Sequence, residues 1–457
     1  MLFQAKQRPD VTEPLLSPSI PPADSFSQHS SLRLRQPALA GLISWTLTGN
    51  IGYAICQWGM LIALAKTLPA AAVGQFSLGL AISAPIFMLT NLQLRSLQAT
   101  SASDLFDFRD YLSFRLVTTT IGFLVIAGVA LTVDYKGPTK VVIVAVGAAK
   151  AIEAIVDAIY GHLQKAEKMD SIALSMLARG CLSLTCLVGT VILTGNLFLG
   201  ILALVVSSIT ILLAIDIPNV RRLRVGHDGG RVKRDELDNR FTPRWTPATL
   251  AGIARLGLPL GVASLLLTLA ATAPRYFLEH WQGEQALGYF SALAYPTVAF
   301  SIIVSAFGQA ATPRMANAYS RDRREFVRIV ITLAAVPFLM ILVALLICAG
   351  LGPRLLALMY REEYAKYFNV FLVLLVSGLA WALASVLGYA ATASRRLRKQ
   401  APVSAVICVA GVAISWLTIP NHGLAGAGIA MLLTGTVAIL LYSLTFAWKQ
   451  DESMSSR

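Results

Sequence analysis

The sequence predicts an all-helical polytopic membrane protein, with twelve transmembrane helices in two six-helix bundles around a central cavity. Three observations support this fold class: the composition, the number of long apolar runs, and the distribution of basic residues between those runs. The 457 residues are 56% hydrophobic and 14% charged, with a mean hydropathy of +0.66. Soluble domains carry about a quarter charged residues, so this composition excludes a soluble globular protein.

Apolar runs of about 20 residues are long enough to cross a bilayer as helices. The connections between them are mostly short and contain helix breakers, such as "TGN" at 194–196 and "PNHG" at 420–423. The predicted spans are 39–65, 72–94, 112–133, 139–163, 171–194, 196–217, 249–273, 285–310, 327–350, 367–393, 400–418 and 422–447.

The two ends of the chain are polar. Residues 1–38 lack an apolar segment long enough for a signal peptide. They are rich in Pro and Ser, which is typical of a disordered tail. Residues 448–457 form a second short tail.

The basic residues predict the orientation in the membrane. If the N-terminus is cytoplasmic, about 28 of the 38 Lys and Arg lie on the inner side, as the positive-inside rule requires. Both termini are then cytoplasmic. This topology and anionic lipid headgroups account for the net charge of +14, so nucleic acid is not needed as a partner. The clusters that produce the bias are at 33–35, 221–224, 320–326 and 394–399.

A basic loop at 218–248 separates six predicted spans from six others, which predicts bundles at 39–217 and 249–447. A short internal echo supports this division. "VGQFSLGLAISAP" at 73–85 and "LGYFSALAYPTVA" at 287–299 share Gly, Phe and Ser in register. Because both segments follow an outer loop and run inward, they predict a parallel repeat related by an axis along the membrane normal.

Three segments carry a resemblance to a known family. They are "PRYFLEHWQGEQALGYFSALAY" at 274–295, "NLQLRSLQATSASDLFDFRDYLSFRL" at 91–116 and "GQAATPRMANAY" at 308–319. Together with the predicted spans, they resemble the Wzx-type oligosaccharide flippases of bacteria. These belong to the multidrug/oligosaccharidyl-lipid/polysaccharide exporter superfamily. One departure is "SASD" after Thr100, where the family pattern has an acidic residue directly after the threonine, and this weakens any role for that carboxylate.

The resemblance implies a flippase in the bacterial plasma membrane. It implies translocation of undecaprenyl-diphosphate-linked oligosaccharide from the inner to the outer leaflet by alternating access, for surface polysaccharide biosynthesis. Polysaccharide polymerase and chain-length regulator proteins are the protein partners that it implies. Two alternatives stay open: a cation-coupled exporter of small molecules, and a membrane polymerase or ligase. The short outer loops, the largest at 351–366, disfavour the enzyme.

Ionisable residues inside predicted spans are costly and indicate function or a buried pair. Lys150, Glu153 and Asp157 share one face of the fourth span, and Arg179 in the fifth span is expected at the depth of the two acids. This cluster is either a clamp between helices or part of a cavity wall. Lys150, near the midplane, either lines the cavity as a counter-ion for a diphosphate, or snorkels toward the interface, or pairs with Glu153.

Five further arginines are candidates for substrate contact. Arg275 follows a proline that is expected to end the seventh span, so it is predicted at the outer mouth, where it contacts phosphate or pairs with Glu279. The other four lie near inner span ends, either as headgroup anchors or as a ring that captures a diphosphate. They are Arg95, Arg115, Arg255 and Arg314.

Catalysis has no support in the sequence. The five histidines are dispersed without metal-ligand spacing, and no phosphate-binding loop or nucleophile elbow is present. We therefore predict a protein that is not an enzyme and that has no cofactor and no metal site.

Overall fold

The computed structural model describes residues 39–95, 98, 106–223, 242–394 and 397–447. The chain divides into two units, Met1–Gly41 and Leu42–Arg457, and the architecture described is that of the second. The described residues are almost entirely helical and contain no strand. The two predicted tails and most of the predicted linker lie outside these residues, as do parts of the basic clusters.

Side-chain caps mark the start of two helices in the first half. The N-terminus of α3 is capped by Asp107, which forms a capping box with Asp110, and Asn196 caps α6. A π-helical turn at Leu212–Asp216 joins α6 to α7. The helices are α1 (Leu39–Thr67), α2 (Ala70–Asn91), α3 (Phe108–Thr132), α4 (Gly137–Lys165), α5 (Met169–Thr194), α6 (Leu197–Ile211) and α7 (Ile217–Arg222).

Two helical segments of the second half are too long for one crossing. At 1.5 Å per residue, the 75 residues of α8 would span about 110 Å. Each of these segments contains a glycine at positive φ, Gly283 (78°) in α8 and Gly423 (53°) in α13, where the chain turns back. The helices are α8 (Pro247–Arg321), α9 (Arg323–Leu351), α10 (Pro353–Met359), α11 (Glu362–Ala365), α12 (Phe368–Ala393) and α13 (Leu397–Ala447).

Within the described ranges, nine helical segments are long and apolar enough to cross a membrane, with α8 and α13 counted once each. Helix α4 is not among them; it carries Lys150, Glu153 and Asp157 along its length. The prediction of a helical, multi-pass membrane fold is confirmed. The number of twelve crossings and their grouping into two bundles stay predictions.

The packing of α2 along α8 joins the two halves of the chain. We call the end at which α2 begins the outer end and the end at which it finishes the inner end, following the predicted orientation. At the outer end, Gly74 lies against the carbonyl oxygen of Glu284, and Gly288 lies against that of Ala70. Gly74 and Gly288 hold the same place in the two echo segments. Gly288 contacts Ala70, four residues before Gly74, and Gly74 contacts Glu284, four residues before Gly288. The contact is therefore nearly two-fold symmetric.

Polar contacts reinforce the outer end. The carboxylate of Glu284 accepts hydrogen bonds from Gln75 (2.9 Å) and from the hydroxyl of Thr139. Arg361, between α10 and α11, donates to the carbonyl oxygen of Lys66 at 2.8 Å. Trp58 donates to the hydroxyl of Tyr360 at 3.2 Å. The outer end is closed by these contacts.

Candidate functional site

A cavity of about 330 Å³ lies between the two halves, among α1, α2, α4, α5, α6 and α8. Its wall is mostly apolar, and its charged side chains are two cations, Lys150 and Arg275, and one carboxylate, Glu153. An apolar cavity with a few converging polar groups is the usual form of a ligand site. We call it the central cavity.

Lys150 and Glu153 form an ion pair within α4. The Nζ atom of Lys150 lies 2.7 Å from a carboxylate oxygen of Glu153, and the other carboxylate oxygen accepts a hydrogen bond from Tyr53 at 3.1 Å. Both partners are about a quarter exposed, and both line the central cavity. Lys150 therefore does both: its side chain pairs with Glu153 and lines the central cavity.

Arg275 lies inside the helix and not at an outer mouth, which corrects the sequence prediction. Pro274 does not end α8; the first part of α8 continues to Gly283, about 12 Å farther along the axis. The partly buried Arg275 donates to the carbonyl oxygen of Ala271 at 3.1 Å, and its guanidinium lies 5.9 Å from the ring centre of Phe290. In the described part of the chain no carboxylate forms an ion pair with it, and Glu279 is not its partner.

Neutral hydrogen-bonding groups complete the central cavity. The hydroxyl of Tyr295 donates to the side-chain oxygen of Gln57 at 3.2 Å across the two halves. The buried hydroxyl of Ser291, which also lines the cavity, has no hydrogen-bond partner among the described residues. Sequence reasoning missed these residues because a neutral polar residue in an apolar span gives no signal of the face that it occupies.

A second cavity of about 320 Å³ adjoins the first on the inner side. The two share Ala84 and the polar residues Tyr53, Lys150 and Glu153, and the second extends past these residues to Arg95 and Asp157. We call it the inner cavity. The Lys150–Glu153 pair therefore stands at the boundary between the two cavities.

Asp157 holds two arginines at the inner cavity. Its carboxylate lies 3.1 Å from Arg115, which is fully buried, and 3.7 Å from Arg95, which is 30% exposed. Arg95 also donates to Gln164 at 2.9 Å, and Arg115 donates to the side-chain oxygen of Asn91. Two guanidinium groups therefore share one carboxylate, and the more exposed of the two is the more distant.

Arg179 pairs with Asp216 and not with Glu153 or Asp157, which corrects the predicted cluster. The Arg179–Asp216 distance is 2.6 Å, and the two side chains are 3% and 0% exposed. The hydroxyl of Ser175 also donates to Asp216. Asp216 lies at the last position of the π-helical turn after α6, where the chain continues as helix to Arg222. The sequence prediction placed this carboxylate at the end of a span and missed it as a partner.

Arg255 and Arg314 are exposed, and neither belongs to the wall of the two cavities. The four inner arginines therefore do not form one ring: the structure brings Arg95 and Arg115 together on Asp157 and leaves the other two apart. Among the described residues, no group of three or more His, Cys, Asp and Glu side chains is placed to hold a metal ion.

Residues 40–319 match the model of the polysaccharide biosynthesis protein family. The capsular polysaccharide biosynthesis protein CapF of Staphylococcus aureus is 25% identical over 404 residues, which are 87% of this chain and 97% of that protein. The match to CapF thus extends beyond the family match into the C-terminal half.

Solved structures show the same fold at low identity. The lipid II flippase MurJ, in an inward closed conformation, matches 90% of this chain and 88% of its own with a TM-score of 0.66 and 8% identity. An inward-facing multidrug transporter of the MOP superfamily matches 86% of this chain and 94% of its own, with a TM-score of 0.64 and 16% identity.

Proposed function

The chain belongs to the polysaccharide biosynthesis protein family, and from this premise we propose that it is a flippase for lipid-linked oligosaccharide. It moves undecaprenyl-diphosphate-linked oligosaccharide from the inner to the outer leaflet of a bacterial plasma membrane for surface polysaccharide biosynthesis. The physical task is to carry a diphosphate and a glycan across about 30 Å of hydrocarbon. The lipid tail stays in the bilayer, and the protein supplies a polar cavity for the head.

The observation that carries this proposal is the guanidinium of Arg275 in the wall of the central cavity, which forms no ion pair among the described residues. A buried charge without a counter-ion is strongly disfavoured, so a cation that is retained here indicates an anionic ligand. A guanidinium binds two oxygens of a phosphate at once. A diphosphate head therefore fits the charge and the donor geometry of Arg275.

The other cations mark a path to this site. Arg95 lines the inner cavity, Lys150 stands at the boundary between the cavities, and Arg275 lies in the central one. On this path, the diphosphate is first attracted by Arg95, then competes with Glu153 for Lys150, and reaches Arg275 last. At each step the diphosphate meets a cationic side chain, so that no bare charge is moved into the apolar interior.

The cavity also suits a sugar. Gln57 and Tyr295 present amide and phenol groups beside the charged residues, and the hydroxyl of Ser291, which has no partner among the described residues, lies in the same wall. These groups can donate to and accept from sugar hydroxyls without a charge of their own. Arg255 and Arg314, which are exposed, act as anchors for anionic lipid headgroups.

The architecture that suits this task is twelve spans in two six-helix bundles, at 39–217 and 249–447, with both termini cytoplasmic. The nearly two-fold contact of Gly74 and Gly288 at the outer end supports two related halves. With the outer end closed, substrate enters from the inner side. The halves then rock about the central cavity, so that it opens to each side in turn.

The test is flipping in vesicles that contain the purified protein and a labelled lipid with a diphosphate and one sugar. Arg275→Ala should insert normally and flip roughly ten- to a hundredfold more slowly, because a charge-assisted contact of about 1.5–3 kcal/mol is lost. Arg275→Lys should keep only a part of the rate, since a point charge cannot bind two oxygens. Lys150→Ala should also slow flipping, and Lys150→Arg should retain more activity than the alanine variant.

Arg354→Ala is the matched control, because Arg354 is an exposed cation on the outer helix α10. It should flip at the wild-type rate. Wild-type flipping by Arg275→Ala would remove the basis of the proposal. Growth of the glycan in the assay would indicate the polymerase alternative, and ion-dependent export of small molecules without flipping would indicate the exporter.

A further inference from the structure

Helix α2 ends at Asn91 in an unusual turn. The next two residues, Leu92 (φ 48°, ψ 25°) and Gln93 (φ 53°), are both in the left-handed region, and neither is a glycine. Residues with a Cβ adopt this conformation rarely, and it persists only where the surroundings enforce it. Two such residues in succession require a local explanation.

The explanation lies on α8, in the other half of the chain. Leu92 is 5% exposed and inserts into a notch formed by Gly257 and Gly261, which lie one turn apart on the same helix face. A Cβ atom at 257 would stand 2.8 Å from the Cβ of Leu92, and one at 261 would overlap a methyl group of Leu92. Gln93 then donates to the hydroxyl of Ser264 at 3.0 Å.

The same turn leads directly to the inner cavity. Two residues beyond Gln93, Arg95 reaches Gln164 and Asp157. The backbone that places Leu92 in the notch therefore also places Arg95 at the inner cavity. A movement of Leu92 out of the notch would shift Arg95 with it.

The inner contact between the halves differs in kind from the outer one, because side-chain atoms and not two backbones make the closest contacts there. At the outer end, two backbones touch at Gly74 and Gly288, and Glu284 is hydrogen-bonded from two helices. At the inner end, the notch contact of Leu92 belongs to an apolar cluster of side chains. Hydrogen bonds join the halves there from Gln93 to Ser264 and from Arg109 to the carbonyl oxygen of Thr242. The left-handed turn adds strain that separation of the halves would relieve.

We propose that Leu92, seated between Gly257 and Gly261, is the inner gate of the protein, and that the turn at Leu92–Gln93 is its hinge. When the halves separate on the inner side, Leu92 leaves the notch, the turn relaxes, and the central cavity becomes accessible from that side. The gate itself does not depend on the proposed function. Only the identity of the substrate that passes it rests on that function.

The test measures access to the central cavity rather than transport. Ser291→Cys is introduced into a variant whose five native cysteines are replaced by alanine. Ser291 is 6% exposed and lines the central cavity. Inside-out membrane vesicles are treated with a membrane-impermeant maleimide, and the labelling rate of Cys at 291 is followed. Leu92→Ala, which empties the notch, and Gly261→Ala, which fills it against Leu92, should each raise this rate several-fold.

The combination of variants identifies the notch. Leu92→Ala with Gly261→Ala should return the rate toward that of the parent, because the overlapping methyl group is gone and the new one fills its place. Leu92→Ala with Gly257→Ala should not, because the obstacle there is the Cβ of residue 92, which alanine keeps. Gly128→Ala is the control, since a Cβ there meets open space, and it should leave the rate unchanged.

Ser264→Ala, which removes only the hydrogen bond from Gln93, should give a smaller rise and little risk to folding. Unchanged labelling in Leu92→Ala, Gly261→Ala and Ser264→Ala, each folded as judged by gel filtration, would overturn the gate. The gate would also be overturned if the labelling rate of the double variant Leu92→Ala with Gly261→Ala rose by the sum of the two single increases. If the variants give this labelling pattern but the protein flips no lipid-linked diphosphate, the proposed function is wrong and the gate is still supported.

Discussion

Arg179 and Arg275 are both cations within apolar helices, but their surroundings differ in one respect. Arg179 meets the carboxylate of Asp216 at 2.6 Å, and both groups are almost completely buried. Arg275 meets a backbone carbonyl and an aromatic ring, faces the central cavity, and has no ion-pair partner in the described part of the chain. The first arginine is neutralised by the protein itself. For the second, we propose that the counter-ion is an anion that enters the cavity.

This difference separates two uses of charge in a membrane protein. A buried pair such as Arg179–Asp216 fixes two neighbouring helices and cannot bind a ligand without being broken. A cation in a cavity costs stability in the empty protein and gives affinity for an anion. Arg115 and Arg95 lie between the two cases, because they share Asp157 and only Arg95 is exposed to the inner cavity.

The largest effect on stability is expected for Arg179→Ala. It leaves Asp216 buried without a counter-ion, which typically costs about 3–5 kcal/mol. The amount of protein in the membrane should fall, and thermal unfolding in detergent should begin at a clearly lower temperature. The double variant Arg179→Met with Asp216→Leu should recover much of this loss, because apolar residues of similar size replace a buried pair at little cost. No recovery in the double variant would show that the pair has a role beyond mutual neutralisation.

A smaller loss is expected for Asp157→Asn. The fully buried Arg115 loses its carboxylate but keeps Asn91 as an acceptor, so we expect a loss of about 1–3 kcal/mol in unfolding free energy. The same unfolding measurement checks this value. Arg95→Ala is the control, since Arg95 is more exposed and farther from Asp157, and it should change stability less. An equal loss of unfolding free energy in the two variants would show that Arg95 stabilises the fold, as Arg115 and Arg179 do.

The fold was largely predictable because the bilayer constrains it. A fixed hydrocarbon thickness sets the length of each apolar run, and backbone polar groups in lipid must be paired within a helix. The family resemblance drawn from three short motifs is confirmed by the match of residues 40–319 to the polysaccharide biosynthesis protein family. The prediction that α8 ends at Pro274 is wrong because membrane helices tolerate proline, and the break occurs at Gly283.

The site was predictable only in part, because a sequence gives the depth of a charge better than its direction. Lys150 and Glu153 lie on one helix, so their spacing alone brings them together. The partner of Arg179 depends on which of several neighbouring helices faces it. The π-helical turn that ends at Asp216 shifts the helical register of this residue. The sequence pattern does not predict this turn.

The smallest effect on stability, and the one that separates the two classes of arginine most sharply, is expected for Arg275→Met. Methionine keeps a long flexible side chain, so packing around residue 275 is nearly retained. No buried carboxylate is left unpaired, and a partly desolvated cation is removed. The unfolding free energy without substrate should therefore stay the same or rise by up to about 1 kcal/mol. Thermal unfolding in detergent, run beside Arg179→Met as the matched single substitution, measures this difference. If Arg275→Met destabilises the protein as much as Arg179→Met does, Arg275 is a structural residue, and its assignment to the substrate diphosphate is wrong. If its stability is retained while flipping is lost, the cation at 275 acts on the ligand and not on the fold.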